Sequence, residues 1–332
     1  STAPSTSSNE TSTAPSKTIN TVSIHPSRFG LFESKFDVKA KQYTYPVAKS
    51  YIDAALKLAD KFTVFQGEQC ARKLIDLVGP ALSKTDFRVP NALIPVQKNL
   101  HINTASNVPQ TASFEAGNNW RLNLYSESQF FVELRKSESK TISKDRTIRL
   151  AYLIYHEFRH TQQMYWISML AMHTELLQFT DVGSQPLQLV KRVWKAYLEP
   201  SATVYPTDIK DIRPYFKEPD KGLAQVLKHA DSINYLRQLF LVNYFVELVT
   251  RMPDPNNQKP DFTGAELTAE MDRVKAIAST LLAHSGPNGK AYHLEYLLDA
   301  DNKYMDRKGA KIQLLEEDAY EFEATFKAIA NK

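Results

Sequence analysis

Residues 156–160 read His-Glu-Phe-Arg-His, an H-E-x-x-H motif with the spacing of zinc hydrolase sites. On a helix, positions i and i+4 lie on one face, so the imidazoles of His156 and His160 can reach one tetrahedral zinc ion. Glu157 lies one step further round the helix, where it faces the water on the metal rather than the metal itself. Such a water needs a base, and we expect Glu157 to be that base.

The residues around the motif predict the buried helix that it needs. Residues 148–155 contain neither Gly nor Pro and are largely apolar, as in a core helix. Leu153, His156, His160 and Met164 follow a spacing of three and four residues, which places both histidines on the inward stripe. The alternative is a core helix whose histidines are only hydrogen-bonded. We favour a metal, because two buried imidazoles without partners would be costly.

A catalytic zinc ion has three protein ligands and one open position for water. The best source of the third ligand is a predicted helix near the C-terminus, whose apolar stripe advances by three and four residues: Ile312, Leu315, Ala319, Phe322, Phe326 and Ile329. Glu317 and Glu321 point away from this stripe, whereas Glu316 and Glu323 flank it on either side of Ala319. Because a ligand must border the core, Glu316 and Glu323 are the candidates.

Two motifs resemble those of the zincin metallopeptidases: residues 155–163, Tyr-His-Glu-Phe-Arg-His-Thr-Gln-Gln, and the predicted Glu316-x-x-Ala319 helix. Zincins of this kind take their third ligand from a Glu in an E-x-x-A or E-x-D-A helix. The first motif looks most like the zincin-like domains of bacterial secreted toxins and effectors, which often show H-E-x-R-H followed by Gln. The resemblance implies Glu157 as the general base and a Zn2+ site made by three ligands: His156, His160 and Glu316.

Alternatives for the third ligand stay open. The separation in sequence between His160 and Glu316 is longer than such families usually show, so Glu175 and Glu199 remain candidates. Glu199 is less suited, because it precedes a proline at a predicted helix end. An oxyanion stabiliser is also expected beside the zinc ion, and the residues considered for it are His173, Tyr292 and His293.

The composition is that of an ordinary globular protein, with 332 residues, 42% hydrophobic and 23% charged. The net charge is +4 and no basic block stands out, so nucleic acid is not expected as a partner. The longest apolar stretch, residues 239–249, is interrupted by Asn243 and Glu247 and is too short to span a bilayer. Cys70 is the single cysteine, which excludes an internal disulfide.

Composition also divides the chain. Residues 1–22 are rich in Ser, Thr and Pro and predict a flexible tail or linker, whereas residues 23–332 predict one zincin-like catalytic domain. A linker that leads into an enzyme suggests an upstream delivery module, and an inhibitor protein is a second candidate partner. The resemblance to bacterial toxins and the tail rich in Ser, Thr and Pro suggest a secreted effector. Since no signal peptide is visible, we expect secretion by a route without a visible signal peptide rather than a cytoplasmic location.

The predicted fold class is α+β and mostly α. Helices are expected first, over residues 47–59 and 68–78, and strands follow at 100–103, 112–115, 120–125 and 129–134. After the metal-binding helix, and beyond about residue 180, the pattern predicts helices alone, over residues 187–197, 222–251, 265–284 and 312–330. Zincins typically place such a small sheet before the metal helix, with one strand edge lining the substrate cleft.

These expectations converge on a zinc-dependent metallopeptidase that hydrolyses a protein or peptide substrate, as a secreted bacterial effector or toxin. A second enzyme hypothesis is a zinc amidase or endopeptidase that acts on cell-wall peptides by the same chemistry. The rival from another class is a binding protein whose zinc site is structural or vestigial. The sequence gives neither the substrate nor the cleavage site.

Overall fold

The structure is a computed structural model that describes residues 35–37, 39, 42–83, 88–117, 120–182, 186–200, 208–209, 211–228, 230–256, 261–284, 315–316, 319 and 326–331. The predicted tail, residues 1–22, lies outside the described residues.

A three-stranded sheet precedes the helix that carries His156 and His160, as the sequence predicts. Its strands are β3 (Leu100–Asn103), β4 (Ala112–Glu115) and β5 (Arg121–Tyr125), in the order β3-β5-β4. Strand β3 runs parallel to β5, and β4 runs antiparallel to it, with Phe114 opposite Leu122. Since β5 is central, β4 lies at an edge of this sheet. Two shorter strands that the sequence pattern did not predict, β1 (Lys35–Asp37) and β2 (Gln42–Thr44), form a separate antiparallel pair.

A turn and an ion pair fix the edge strand. Gly117 follows β4 with φ +82, a conformation that L side chains rarely adopt, and the Tyr197 ring lies against its open side. Arg121 on β5 donates to both carboxylate oxygens of Asp208, at 2.8 and 2.9 Å, and both side chains are buried. Arg121 also reaches Glu115 on β4, at 3.5 Å. The bidentate charge-assisted pair with Asp208 fixes the Arg121 side chain on β5.

The helices make up most of the described chain. They are α1 (Pro46–Leu56), α2 (Gly67–Leu82), α3 (Gln129–Arg135), α4 (Lys144–Met172), α5 (Val190–Leu198), α6 (Lys221–Val226), α7 (Ala230–Thr250) and α8 (Gly264–His284). The predicted α+β class with mostly helical content is therefore confirmed. Among the described residues, none of these helices has the length and apolarity that crossing a lipid bilayer requires.

Helix α4 is the central element. It begins after Ser143, whose hydroxyl accepts a hydrogen bond from the backbone N–H of Arg146, and it runs for 29 residues. It packs against α1 and α2 on one side, α5 and α7 on another, and β4 on a third. Residues 161–171 are buried all round the helix, which is why its polar residues there need internal partners.

The C-terminal segment, described here as residues 315–316, 319 and 326–331, packs on α1 and α4. Its backbone is helical at Leu315, Glu316, Ala319 and 326–330, within the helix that the sequence predicts. The Phe326 ring lies 5.6 Å from the ring of Tyr51 on α1 and 6.0 Å from that of Tyr155 on α4. These aromatic contacts bring residues far apart in sequence to the same side of α4.

Two predictions of secondary structure were wrong. The strand expected at residues 129–134 is helix α3, because the apolar side chains of Phe130, Phe131 and Leu134 are buried together from successive turns. The single helix expected over residues 222–251 is interrupted after α6, although the sequence between α6 and α7 contains neither Gly nor Pro.

Candidate metal centre

Two imidazoles and one carboxylate converge beside α4. His156 and His160 lie one turn apart on this helix, with ring centroids 4.9 Å apart and ring planes nearly perpendicular. The Nε2 atom of His156 is 2.9 Å from one carboxylate oxygen of Glu316, and Nε2 of His160 is 3.0 Å from the other. A single carboxylate therefore bridges both rings.

The donor set fits a zinc ion. One ligand atom from each of His156, His160 and Glu316 lies within 4.8 Å of the other two. Zinc–ligand bonds of about 2.0–2.1 Å in a tetrahedron place neighbouring ligand atoms ~3.3 Å apart, close to the separations seen here. Two imidazoles with one carboxylate is also a known combination for catalytic zinc, with a fourth position left for water. The Glu316 side chain is 31% exposed, so the cluster borders solvent and an ion can enter.

Packing of the C-terminal segment places Glu316. Leu315 and Ala319 on either side of it are buried, and Phe326 beyond them is fully buried among aromatic rings. Glu316 consequently projects from the border of the core toward the two histidines.

Glu157 is held by the sheet rather than by the histidines. Its carboxylate accepts a hydrogen bond of 2.9 Å from the backbone N–H of Phe114, on β4. Burial raises the pKa of Glu157 above its ordinary value, and the positive charge of His160 and His156 opposes that shift only in part. A carboxylate with a raised pKa beside a candidate metal position is suited to accept and return a proton.

The pKa values of Glu316 and His160 shift in opposite directions. Burial alone would raise the pKa of Glu316, but the hydrogen bonds to His156 and His160 lower it to about 2. Burial alone would lower the pKa of His160, but the hydrogen bond to Glu316 and the nearby charge of Glu157 raise it. Without a metal, the cluster is therefore held together by an anionic carboxylate that accepts hydrogen bonds from both rings.

A buried glutamine, Gln163, contacts the cluster through His160. Gln163, one turn after His160 on α4, lies with its Oε1 atom 2.8 Å from Nδ1 of His160. The same amide donates through Nε2 to the backbone carbonyl oxygen of Leu315, at 3.1 Å. Gln163 is fully buried. It thus contacts one histidine and the backbone next to Glu316.

The other candidates for the third ligand and for oxyanion stabilisation lie elsewhere or outside the described residues. Glu175 is in an exposed turn and pairs with His173, and Glu199 caps the C-terminus of α5. His173 ends α4, where its Nε2 atom is 3.0 Å from the carbonyl oxygen of Phe216. It is therefore about three turns of helix from His160. The structure does not describe Glu323, Tyr292 or His293.

Sequence reasoning found four of the side chains that converge here and missed two contacts: the backbone N–H of Phe114 and the amide of Gln163. The first has no side-chain signal, because any residue at that position carries the same N–H. The second had a usable signal, since a glutamine three residues after a ligand histidine lies on the same helix face.

Comparisons with family models, with curated proteins and with solved structures give no match to this chain. Its function is therefore argued from the geometry of the site.

Proposed function

We propose that this protein is a zinc-dependent metallopeptidase with His156, His160 and Glu316 as ligands and Glu157 as general base. The observation that carries the proposal is the convergence of three ligand atoms from two segments that are far apart in sequence. A structural role alone does not require an anionic carboxylate between two histidines at the border of solvent. The separate position of Glu157, bonded to the sheet and not to the rings, gives it a different task.

Each residue has a defined part in hydrolysis. A zinc ion at this site would act as a Lewis acid, which lowers the pKa of water and polarises a carbonyl group. Glu157 takes a proton from the attacking water, which its raised pKa favours, and then passes that proton to the leaving nitrogen. His156, His160 and Glu316 would hold the metal, and the Nε2–H protons that both rings now donate to Glu316 would leave when it binds.

The edge strand β4 favours an extended peptide as substrate. The backbone N–H of Tyr125 bonds to the carbonyl of Thr111, so Thr111 and alternate residues after it face β5. Ala112 and Phe114 consequently direct their backbone groups away from β5, and the N–H of Phe114 indeed reaches Glu157. Because that N–H is taken by Glu157, an extended chain would pair with the other outward backbone groups of Ala112 and Phe114, which would align its peptide bond beside the general base.

The test is the substitution Glu157→Gln. We expect the variant to bind zinc as wild type does, because no ligand atom is removed, and to lose about 10²–10⁴-fold in turnover, because the proton acceptor is gone. Turnover is measured on a library of extended peptides with zinc-loaded protein, and Glu175→Gln is the control, since Glu175 lies in an exposed turn away from the cluster.

Full turnover in the Glu157→Gln variant would refute the mechanism. Zinc binding without any turnover that depends on Glu157 would favour a binding protein with a structural or vestigial zinc site. Cell-wall peptides belong in the same library, because an amidase or endopeptidase of cell-wall cross-links would use identical chemistry. Action as a secreted bacterial effector or toxin remains part of the proposal, and it rests on the sequence resemblance alone.

A further inference from the structure

We infer that Gln163 is a positioning residue that couples the two halves of the metal site, an inference that rests on the proposed zinc ligation. One side chain contacts both segments that supply ligands. Its amide oxygen lies 2.8 Å from Nδ1 of His160, on α4, and its amide nitrogen lies 3.1 Å from the carbonyl oxygen of Leu315, which precedes Glu316. This contact joins the two segments in addition to the contacts that Glu316 itself makes with the two histidines.

The orientation of the amide follows from its partners. The carbonyl oxygen of Leu315 can only accept, so the group facing it must be the NH2 of Gln163. The amide oxygen then faces His160, and Nδ1 of that ring must carry the proton that it donates. A histidine whose Nδ1–H is held in this way presents Nε2 toward Glu316, which is the nitrogen that a metal would use.

Burial makes both bonds matter. Gln163 is fully buried, so removing its amide takes a hydrogen-bond partner from the Leu315 carbonyl and from the Nδ1–H of His160. Losing a partner that orients a ligand typically weakens metal affinity by about 10–100-fold. The effect of Gln163 should therefore appear in zinc affinity and in the order of the C-terminal segment, not only in activity.

The chain supplies a matched control in the preceding residue. Gln162 is also buried in α4, but its amide oxygen contacts Arg159, at 3.4 Å, and its amide nitrogen has no hydrogen-bond partner among the described residues. Gln162→Met and Gln163→Met thus remove the same amide from the same helix, and only the second removes contacts to the metal cluster. Gln163→Glu is the conservative variant, because it keeps an acceptor for His160 and loses the donor to Leu315.

The experiment measures zinc affinity by competition with a chelator, and hydrogen exchange of the C-terminal peptide in the metal-free protein. We expect Gln163→Met to bind zinc about 10–100-fold more weakly than wild type, with Gln163→Glu in between and Gln162→Met within about threefold. In the metal-free protein, amides around Leu315 should exchange faster in both Gln163 variants and at the wild-type rate in Gln162→Met. The melting temperatures of all three variants show whether each is folded.

The outcomes separate this inference from the proposed function. If wild type binds no zinc, the proposed function fails, whereas the exchange measurement still tests the contact with Leu315. If wild type binds zinc and folded Gln163→Met binds it equally well, the inference alone is overturned. Equal zinc affinity in Gln163→Glu and Gln163→Met would show that the contact between Gln163 and His160 does not contribute to zinc affinity. Unchanged exchange in Gln163→Met would overturn the contribution through Leu315.

Discussion

Glu157 and Glu316 are two carboxylates of one cluster whose pKa values shift in opposite directions. Burial raises the pKa of Glu157, whose carboxylate accepts a hydrogen bond from the backbone N–H of Phe114. Although burial acts on Glu316 in the same sense, hydrogen bonds from two histidines lower its pKa to about 2. Carboxylates whose environments separate their pKa values can take different parts in one reaction. Glu316 is suited to remain an anion on a metal, and Glu157 is suited to exchange a proton.

The ligand assignment predicts the effect of Glu316→Gln. Replacing the carboxylate by an amide removes the negative charge that bridges the rings, so we expect zinc affinity to fall by at least the ~100-fold seen for the loss of an outer partner. Competition with a chelator of known affinity measures the change. Glu175→Gln and Glu199→Gln test the alternative ligands and should leave affinity unchanged. If zinc affinity falls only in Glu175→Gln or only in Glu199→Gln, the substituted residue is the third ligand instead of Glu316.

At this scale, the sequence predicts the chemistry of the side chains better than their contacts. The i, i+4 spacing of His156 and His160 predicts a shared helix face, and both rings do face one carboxylate. The stripe of the C-terminal helix narrowed the third ligand to Glu316 or Glu323, and the geometry brings Glu316 to the rings. Neither pattern could show that a sheet N–H holds Glu157, because that contact depends on how tertiary packing sets β4 against α4.

At the scale of the elements, the contact between α2 and α3 depends on Gly67, which has no side chain. A Cβ placed on Gly67, the first residue of α2, would lie 2.7 Å from the Phe131 ring and 3.1 Å from Leu134. The close approach of these helices is therefore possible only for glycine at that position. Phe131 and Leu134 are both buried, so the ring has little room to move away.

The prediction for this contact is that Gly67→Ala lowers the free energy of unfolding by about 1–3 kcal/mol, because the added methyl group overpacks the interface. Chemical denaturation measures the loss. In a Phe131→Val background the ring atoms that clash are absent, so the same Gly67→Ala substitution should cost less than about 0.5 kcal/mol. If the cost is the same in both backgrounds, the loss arises from the backbone of Gly67 and not from contact with Phe131.

The contact with Gly67 also explains why the prediction of a strand at α3 was wrong. Residues 129–134 are rich in Phe and Val, which favour strands when sequence is considered alone. Packing decides otherwise, since Phe131 and Leu134 reach the same glycine only if they lie one helical turn apart. The three sheet strands, by contrast, were predictable because their own alternation of polar and apolar residues agrees with the final fold.

At the scale of the whole molecule, aromatic packing connects the candidate metal cluster to the core. Rings of Tyr51 from α1, Tyr155 from α4 and Phe326 from the C-terminal segment lie within 5.3–6.0 Å of one another. Tyr155 directly precedes His156, and Phe326 lies beyond Glu316 on the same segment. Any loss of this packing would therefore separate the ligands, so zinc should bind the native state and not the unfolded chain.

The reactivity of Cys70 can be used to measure whether zinc binds only the native state. Cys70 is fully buried in α2, and burial raises the pKa of its thiol from 9.0 to about 12. Because only the thiolate reacts, we expect a thiol reagent to label native protein at neutral pH far more slowly than protein in denaturant. The raised pKa stabilises the native state only while the thiol of the unfolded chain stays protonated. That contribution declines as the pH rises above about 9, so labelling should accelerate there.

Zinc should then protect Cys70 without touching it. If labelling requires unfolding, a zinc concentration 100 times the dissociation constant should slow it by about 100-fold, since a ligand that binds only the native state shifts the unfolding equilibrium by that factor. The rate of labelling at pH 7.5, with and without zinc, is the measurement. Glu316→Gln serves as the control, because its labelling should respond little to the same zinc concentration. Equal protection in both proteins would mean that zinc acts elsewhere on the chain, and labelling of native protein as fast as in denaturant would mean that α2 opens without the rest of the core.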